Sequence, residues 1–252
     1  MSALSIATPW LICPQTAQQA RLRLLCLPYA GGGASAYRSW QQQLPDTIEL
    51  CAVQLPGHET RLKEQAYTHL PSLVEAMAEA LLPVLDRPFA IFGHSMGALL
   101  SFELTRYLRK HAQRSPEHLF LSGCRAAHLP RTEPDVHTLS DEGLIDYLRR
   151  FNGTPEEILQ NEEMMQLLLP IFRADFTLYE TYQYQHEEPL SCPITVFGGH
   201  QDSSVSYQQL QAWRDHTRGA FAAHMLPGNH FFLQPSRDQL LALIKQALNQ
   251  NQ

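Results

Sequence analysis

The sequence predicts an α/β fold in which a mostly parallel sheet is covered by helices on both faces. Strand-like runs alternate with helical stretches along most of the chain, and such alternation indicates βαβ units joined by crossover helices. With 252 residues, the chain is long enough to bury a large core without disulfide bonds. Because no internal repeat or low-complexity tract interrupts it, we expect one domain over residues 1–252.

Short apolar runs predict the strands, and longer stretches between them predict the helices. The predicted strands are Arg23–Leu27, Leu50–Gln54, Phe89–Phe92, Leu119–Ser122, Ile194–Phe197 and Ala222–Leu226. The predicted helices are Ala36–Leu44, Pro71–Leu85, Ala98–Lys110, Ser206–His216 and Arg237–Asn249.

The alternation stops over residues 128–188, where only helical signals occur, so we expect an inserted helical layer there. Ser140 can cap the helix that follows it, and residues 154–157 have the pattern of a capping box with proline at the first helical position. The stretch Met164–Tyr184 is apolar nearly all round, and Pro170 is expected to break or kink it. This stretch either packs as core or forms a lid whose inner side lines an acyl-binding channel.

The formal net charge of −6 is unevenly distributed. Residues 128–188 carry thirteen acidic residues and four arginines, a net charge of −9, so the rest of the chain carries +3. Within this segment we expect Asp135 and Asp175 to be solvated or structural rather than catalytic. Nucleic-acid binding usually needs a basic patch or stripe, so this charge balance argues against it.

The cysteines are odd in number, widely scattered and mostly inside apolar runs, which favours reduced core thiols over a disulfide framework or a metal site. They are Cys13, Cys26, Cys51, Cys124 and Cys192. The segment Leu4–Cys13 is mildly apolar, but it contains Pro9, lacks a basic flank and is too short to span a bilayer. We therefore expect a cytoplasmic protein that does not associate with membranes.

The most specific motif is Gly93-His94-Ser95-Met96-Gly97, which follows an apolar strand and leads directly into a helical stretch. This pattern is typical of a nucleophile elbow, in which a tight turn holds the serine in a strained backbone conformation. Glycine at both ends of the motif lets the helix and the neighbouring strands approach closely. Matches of five residues also occur by chance in turns, and the flanking strand and helix are what favour catalysis here.

A serine nucleophile needs a base, and a carboxylate to orient the base, on loops at the carboxyl ends of later strands. Asp202 follows the fifth predicted strand and His230 follows the sixth, and the order Ser, Asp, His is that of α/β-hydrolases. His200 is the alternative base, although it is too close in sequence to Asp202 to extend easily from that carboxylate to Ser95. A metal site made of His200, Asp202 and His230 is disfavoured because their spacing matches no common zinc motif.

The negative oxygen of a tetrahedral intermediate needs hydrogen-bond donors. The backbone N–H of Met96, the first residue of the helix after the elbow, is a natural donor. Residues 27–34, Leu-Pro-Tyr-Ala-Gly-Gly-Gly-Ala, resemble the glycine-rich oxyanion loops of esterases. Such a run is also compatible with a flexible turn or a phosphate cradle, but no Gly-Lys-Ser/Thr follows, which argues against nucleotide binding. We expect neither a cofactor nor a metal.

Five segments in order along the chain resemble the type II thioesterases that accompany non-ribosomal peptide and polyketide synthases, within the α/β-hydrolase superfamily. They are residues 27–34, the run Gln-Leu-Pro-Gly-His-Glu at 54–59, residues 93–98, the helix with Arg173–Phe176 and Tyr179–Tyr182, and Gly-Asn-His-Phe-Phe-Leu at 228–233. The resemblance covers nearly the whole chain.

This resemblance implies an α/β-hydrolase fold with a helical lid, 128–188, that removes stalled or wrongly loaded acyl groups from the phosphopantetheine arm of carrier proteins. It implies that Ser95 is the nucleophile, Asp202 the acid and His230 the base, with the backbone amides of Ala30 and Met96 as oxyanion donors. It also implies a monomer.

The side chains expected to line the acyl channel are Tyr29, Met165, Leu168, Phe172 and Phe176. We expect an acyl or peptidyl carrier protein to dock on the more basic core side, where Arg38, Arg61 and Arg125 are candidates. A general carboxylesterase has the same triad, so it remains an alternative function. A non-catalytic module that binds acyl chains or carriers is a second alternative.

Overall fold

A computed structural model describes residues 8–13 and 19–250. Within these residues, a seven-stranded sheet has the order β1-β3-β2-β4-β5-β6-β7. Strand β1 pairs antiparallel with β3, and all other neighbouring strands are parallel. The strands are Leu11–Ile12 (β1), Leu22–Leu27 (β2), Ile48–Val53 (β3), Phe89–His94 (β4), His118–Ser122 (β5), Ile194–Gly199 (β6) and Phe221–Leu226 (β7).

Helices cover both faces of this sheet, which confirms the predicted fold class. Helices α1 and α2 share one apolar core with the sheet, while α7 and side chains of residues 34–44 share the other. The helices are Leu70–Leu81 (α1), Met96–Ala112 (α2), Asp141–Phe151 (α3), Glu156–Leu159 (α4), Glu162–Glu180 (α5), Tyr207–Gln211 (α6) and Arg237–Gln250 (α7). The 3₁₀ turns are Ala34–Tyr37, Gln41–Gln43, Glu59–Arg61, Leu82–Val84 and Ala212–His216.

Strand β4 shows how the two cores form. Successive side chains of a strand point to opposite faces, so Ile91 enters the core under α1 and α2, while Ala90 and Phe92 enter the core under α7. All six residues of β4 are buried. Burial on both faces explains why this strand has a continuous apolar run rather than alternating polar and apolar residues.

All six predicted strands are present, with ends shifted by up to two residues, but β1 was not predicted. With only two residues, β1 is too short to show a periodic pattern. The predicted helix Ala36–Leu44 is wrong in type, because this segment forms two 3₁₀ turns separated by residues 38–40. The predicted helices Pro71–Leu85 and Ser206–His216 each end in a 3₁₀ turn.

Residues 128–188 form a helical insertion between β5 and β6 that contains α3, α4 and α5. The Ser140 hydroxyl accepts a hydrogen bond from the Gly143 N–H at 3.2 Å, which confirms the predicted cap of α3. The predicted capping box at residues 154–157 is wrong: α4 begins at Glu156, after Pro155, and has no side-chain cap.

Helix α5 continues through Pro170, so the predicted break does not occur. Its apolar residues are not all covered by the protein. Met164 and Leu167 are 38% and 55% exposed, while Leu169 and Phe172 are buried. One side of α5 therefore faces solvent and the other faces the protein.

The prediction that all five cysteines are reduced is also wrong. Cys13 and Cys51 form a disulfide, while Cys26, Cys124 and Cys192 are free and buried. In the antiparallel register of β1 and β3, Ile12 lies opposite Ala52, which puts the next pair of residues, Cys13 and Cys51, side by side. A cytoplasmic location therefore no longer follows from the cysteines. Among the residues described, no helix is long and apolar enough to cross a membrane.

We expect the disulfide to appear in a thiol count. After denaturation without reductant, three thiols per chain should react with a thiol reagent, and five after reduction. The Cys51→Ser variant is the control, because it frees Cys13 and should present four thiols without reductant. Five reactive thiols in unreduced wild-type protein would contradict the pairing.

Candidate active site

Ser95 lies in a strained turn between β4 and α2. Its backbone angles are φ 53° and ψ −117°, a conformation that residues with side chains rarely adopt. Its N–H donates to the Ser122 carbonyl at 2.8 Å, which holds the turn against β5. A Cβ at Gly93 would overlap the Gly97 carbonyl, and a Cβ at Gly97 would lie 2.5 Å from the Pro28 carbonyl oxygen. The expected need for glycine on both sides of the serine is confirmed.

Asp202 and His230 come together at the carboxyl ends of β6 and β7. His230 Nδ1 lies 2.8 Å from Asp202 Oδ2. Since the ionised carboxylate only accepts hydrogen bonds, Nδ1 carries the proton, and Nε2 of the neutral ring keeps its lone pair. Nε2 is buried and has no hydrogen-bond partner among the described residues. The ring is therefore oriented with a free basic nitrogen.

Ser204 is a member of this site that the sequence analysis missed. Its N–H and its hydroxyl both donate to Asp202 Oδ1, at 2.8 and 2.6 Å. Burial alone would raise the pKa of Asp202, but hydrogen bonds from His230 and Ser204 outweigh it and lower that pKa below its ordinary value. Asp202 is thus ionised at neutral pH. The signal was the spacing Asp-x-Ser, which is typical of an Asx turn.

His94 packs beside His230, with ring centroids 5.0 Å apart. Its side chain is completely buried, and its Nδ1 lies 3.0 Å from the Ser122 hydroxyl. Burial and the neighbouring His230 hold the pKa of His94 well below its ordinary value. His94 is therefore neutral at physiological pH and puts no positive charge next to His230.

Ser95 and His230 both line a cavity of about 430 Å³ between the strand ends and the helical insertion. Four of the five predicted channel side chains are on its wall: Tyr29, Leu168, Phe172 and Phe176. Met165 is not among the lining residues and instead packs in the apolar core of the insertion. Met165 shares the helix face of Phe172, but it lies near the start of α5, where the core of the insertion covers it.

Two of the aromatic residues on the cavity wall that were not predicted as channel residues lie against His230. Phe151, at the end of α3, has its ring centroid 4.6 Å from that of His230. Phe231 lies at 5.3 Å from the same ring. Phe231, the neighbour of His230 in the chain, carries no pattern of its own, and the position of Phe151 depends on how α3 docks. Together they cover His230 with apolar surface.

Ala30 and Met96, whose backbone N–H groups are the predicted oxyanion donors, both line this cavity. Met96 is the first residue of α2, so its N–H has no acceptor within the helix. The next loop residue, Gly31, has φ +71° and donates its N–H to Asp175 at 2.7 Å. Asp175 is 3% exposed, so of the two expected roles, solvated or structural, the structure agrees with the structural one.

Asp135, by contrast, is exposed at the base of the insertion. Together with His137 and Glu180 it offers ligand atoms within 4.8 Å of one another. Arg131 lies 3.1 Å from the Asp135 carboxylate and 3.7 Å from that of Glu180. The arginine already supplies positive charge to this cluster, which therefore gives no reason to infer a metal.

Of the arginines proposed for carrier docking, only Arg38 is exposed. Arg61 is 8% exposed and bonds Glu64 at 2.7 and 2.6 Å. Arg125 is 9% exposed and lies on the cavity wall, with Nη1 3.5 Å from the Tyr179 hydroxyl. The prediction that a carrier protein docks on the surface through Arg61 and Arg125 is therefore wrong, because both side chains are buried.

His200, the alternative base, is exposed, and its backbone N–H bonds the end of β7. The Asp202 carboxylate bonds His230 instead.

A model of the thioesterase domain family matches residues 22–248. The chain belongs to the thioesterase family. It is a thioester hydrolase of the α/β-hydrolase fold.

Relatives of this thioesterase include a protein of Brevibacillus parabrevis named linear gramicidin dehydrogenase LgrE. It is 50% identical over 242 residues, which cover 95% of this chain and 92% of LgrE. Its name is that of a dehydrogenase, whereas the family model describes thioesterases, and an elbow serine beside an Asp–His pair agrees with the family model.

Solved structures of thioesterases superpose closely. RedJ, a thioesterase of the prodiginine pathway in Streptomyces coelicolor, has a TM-score of 0.86 and 42% identity, covering 92% of this chain and 87% of RedJ. BorB, a type II thioesterase from the borrelidin biosynthetic cluster, has a TM-score of 0.88 and 35% identity, covering 98% of this chain and 100% of BorB. The predicted α/β-hydrolase fold and type II thioesterase family are thereby confirmed.

We expect Gly97→Ala to damage the thioesterase at its elbow. The new Cβ would meet backbone atoms of the loop after β2, which cannot move aside cheaply, so the free energy of unfolding should fall by about 1–3 kcal/mol. Gly143→Ala is the matched control, because its Cβ would lie 3.4 Å from Leu139 in an ordinary helix. Urea denaturation compares the two, and equal stabilities would contradict the close approach.

Proposed function

We propose that this chain is an editing type II thioesterase that hydrolyses acyl groups from the phosphopantetheine arm of carrier proteins. The observation that carries the proposal is a cavity lined by both Ser95 in its elbow and His230, which is paired with Asp202, in a chain of the thioesterase family. RedJ is described as a thioesterase of a biosynthetic pathway and BorB as a type II thioesterase of a biosynthetic cluster, which supports a biosynthetic role here.

In the proposed first step, Ser95 Oγ bonds to the thioester carbonyl carbon while His230 Nε2 takes the hydroxyl proton. The carbonyl electron pair moves to oxygen, and the oxyanion accepts hydrogen bonds from the Ala30 and Met96 N–H groups. The ionised Asp202 stabilises the imidazolium that forms at His230. Collapse of this intermediate breaks the carbon–sulfur bond.

The leaving group is a thiolate, which receives the proton from His230. A thiol with a pKa of about 8.5 leaves readily, so protonation demands less of His230 than an amine leaving group would. Water then attacks the acyl-serine with His230 again as the base, and the free acid and Ser95 are released. These steps need neither a metal nor a cofactor.

The helical insertion acts as a lid in this proposal, since its side chains form much of the cavity wall opposite Ser95. A volume of about 430 Å³ suits small to medium acyl groups. We further propose a single-domain monomer that acts in the cytoplasm, where Arg38 remains the exposed candidate for contact with an acidic carrier.

We expect Ser95→Ala and His230→Ala each to lower kcat by roughly three or more orders of magnitude. His200→Ala is the matched control and should retain wild-type turnover, because His200 is exposed and does not bond Asp202. Mass spectrometry of an acyl-loaded carrier protein follows the loss of acyl mass directly. A large loss in His200→Ala with His230→Ala unaffected would refute the assigned base.

The same assay separates carrier editing from general esterase activity. Acyl-carrier protein, free acyl-pantetheine and the matching oxygen ester are compared at equal concentration. Faster loss from the carrier than from the free arm supports protein recognition, whereas preference for the simple ester would refute the editing function.

A further inference from the structure

A buried carboxylate on the insertion joins two loops of the core. Asp175, on α5, accepts the Gly31 N–H at 2.7 Å and lies 2.9 Å from His58 Nε2, both through Oδ2. Asp175 and His58 are each 3% exposed. One oxygen atom of the insertion therefore links the glycine-rich loop after β2 to the loop after β3.

The surroundings of His58 fix its charge. Its Nδ1 lies 3.0 Å from the Pro56 carbonyl oxygen, and its Nε2 faces the Asp175 carboxylate. A carbonyl and an ionised carboxylate only accept hydrogen bonds, so both ring nitrogens must carry a proton and His58 is an imidazolium. Burial opposes this charge, but the charge and hydrogen bond of Asp175 outweigh it and raise the pKa of His58.

Helix α5 also holds Gly31 from a second side. The ring of Phe172, one turn before Asp175, packs on the Gly31 backbone so closely that an added Cβ would lie 2.6 Å from Phe172 Cδ1. Gly31 has φ +71°, a conformation that favours glycine. Its backbone is thus held by a hydrogen bond and by a ring from the same helix.

Holding Gly31 restrains the residue before it. The peptide plane between Ala30 and Gly31 contains the Cα and the carbonyl carbon of Ala30, so holding that plane holds these two atoms and restricts where the Ala30 N–H can lie. The Gly31 N–H is engaged by Asp175 and the Gly32 N–H by the Tyr29 carbonyl, so neither is free for an oxyanion, and the Ala30 N–H is the proposed donor of this loop. A shift of about 1 Å in such a donor can cost on the order of 100-fold in rate.

We propose that the His58–Asp175 ion pair positions the Ala30 amide, so that the oxyanion hole is complete only when α5 is docked against the glycine-rich loop. This inference rests on the proposed thioesterase function. His58 and Asp175 are positioning residues, since they act through Gly31 and Ala30 rather than on the substrate.

The His58–Asp175 ion pair is expected to make kcat depend on pH in the alkaline range. Among the described residues, the charges acting on His58 are those of Asp175 on α5 and Glu59 in its own loop. Because the pKa of His58 is raised, the ion pair is fully present at lower pH and is lost as pH rises through that pKa. We expect kcat to fall over this range in wild-type protein, after subtraction of the Ser95→Ala rate.

The test compares Asp175→Asn and His58→Gln with Glu163→Gln, a carboxylate-to-amide control at an exposed position of the same helix. We expect the first two to lower kcat on acyl-carrier protein by about 10- to 100-fold and to change KM by less than about threefold. A trifluoromethyl ketone analogue of the acyl group forms an oxyanion with Ser95, so its affinity should fall by a similar factor.

The pH profile distinguishes a positioning role from a merely structural one. His58→Gln has no titrating group at this position, so its lower kcat should show no alkaline fall. If kcat of His58→Gln still falls at alkaline pH, the inference is wrong. It is also wrong if Asp175→Asn folds and has the same kcat and the same inhibitor affinity as the wild-type protein. If Asp175→Asn does not fold, the wild-type and His58→Gln profiles decide. Absence of any Ser95-dependent hydrolysis in wild-type protein instead refutes the proposed function.

Discussion

The close approach of helix α2 to the end of strand β2 is the contact on which the site depends. Gly97 lies so near the Leu27 carbonyl that no side chain fits between them. This contact brings the Ser95 hydroxyl and the Met96 amide to the edge of the sheet where Ala30 also lies. Because the serine and one donor are held by rigid elements, little free energy is spent on organising them during a reaction.

The charges around His230 are arranged for a ring that gains a proton during the proposed reaction. On one side, hydrogen bonds lower the pKa of Asp202 and keep it ionised. On another side, burial keeps His94 neutral. Phe151 and Phe231 cover much of the remaining surface and reduce access of water. In such a site the attraction between the carboxylate and a transient imidazolium is stronger than in water.

The helical insertion contributes more than a cover. Its apolar side chains form a wall of the cavity, while Asp175 and Phe172 reach down to the glycine-rich loop. Substrate access and oxyanion geometry therefore depend on the same helix. A buried ion pair is weak evidence for stability, since desolvation costs offset much of the attraction, but it does fix the relative position of the two loops that it joins.

The sequence by itself determined the fold class and the elbow, because each depends on residues that are neighbours in the chain. It also singled out Asp202 and His230, because each follows an apolar strand through a short loop. Alternating strand and helix signals, glycines around Ser95, and polar residues directly after apolar strands are local patterns. The tertiary structure alone decided the Cys13–Cys51 bond, the contact of Asp175 with Gly31 and the side of α5 that faces solvent. These features join segments far apart in the chain, and they follow from strand register and helix docking, which sum many weak contacts that no local pattern records.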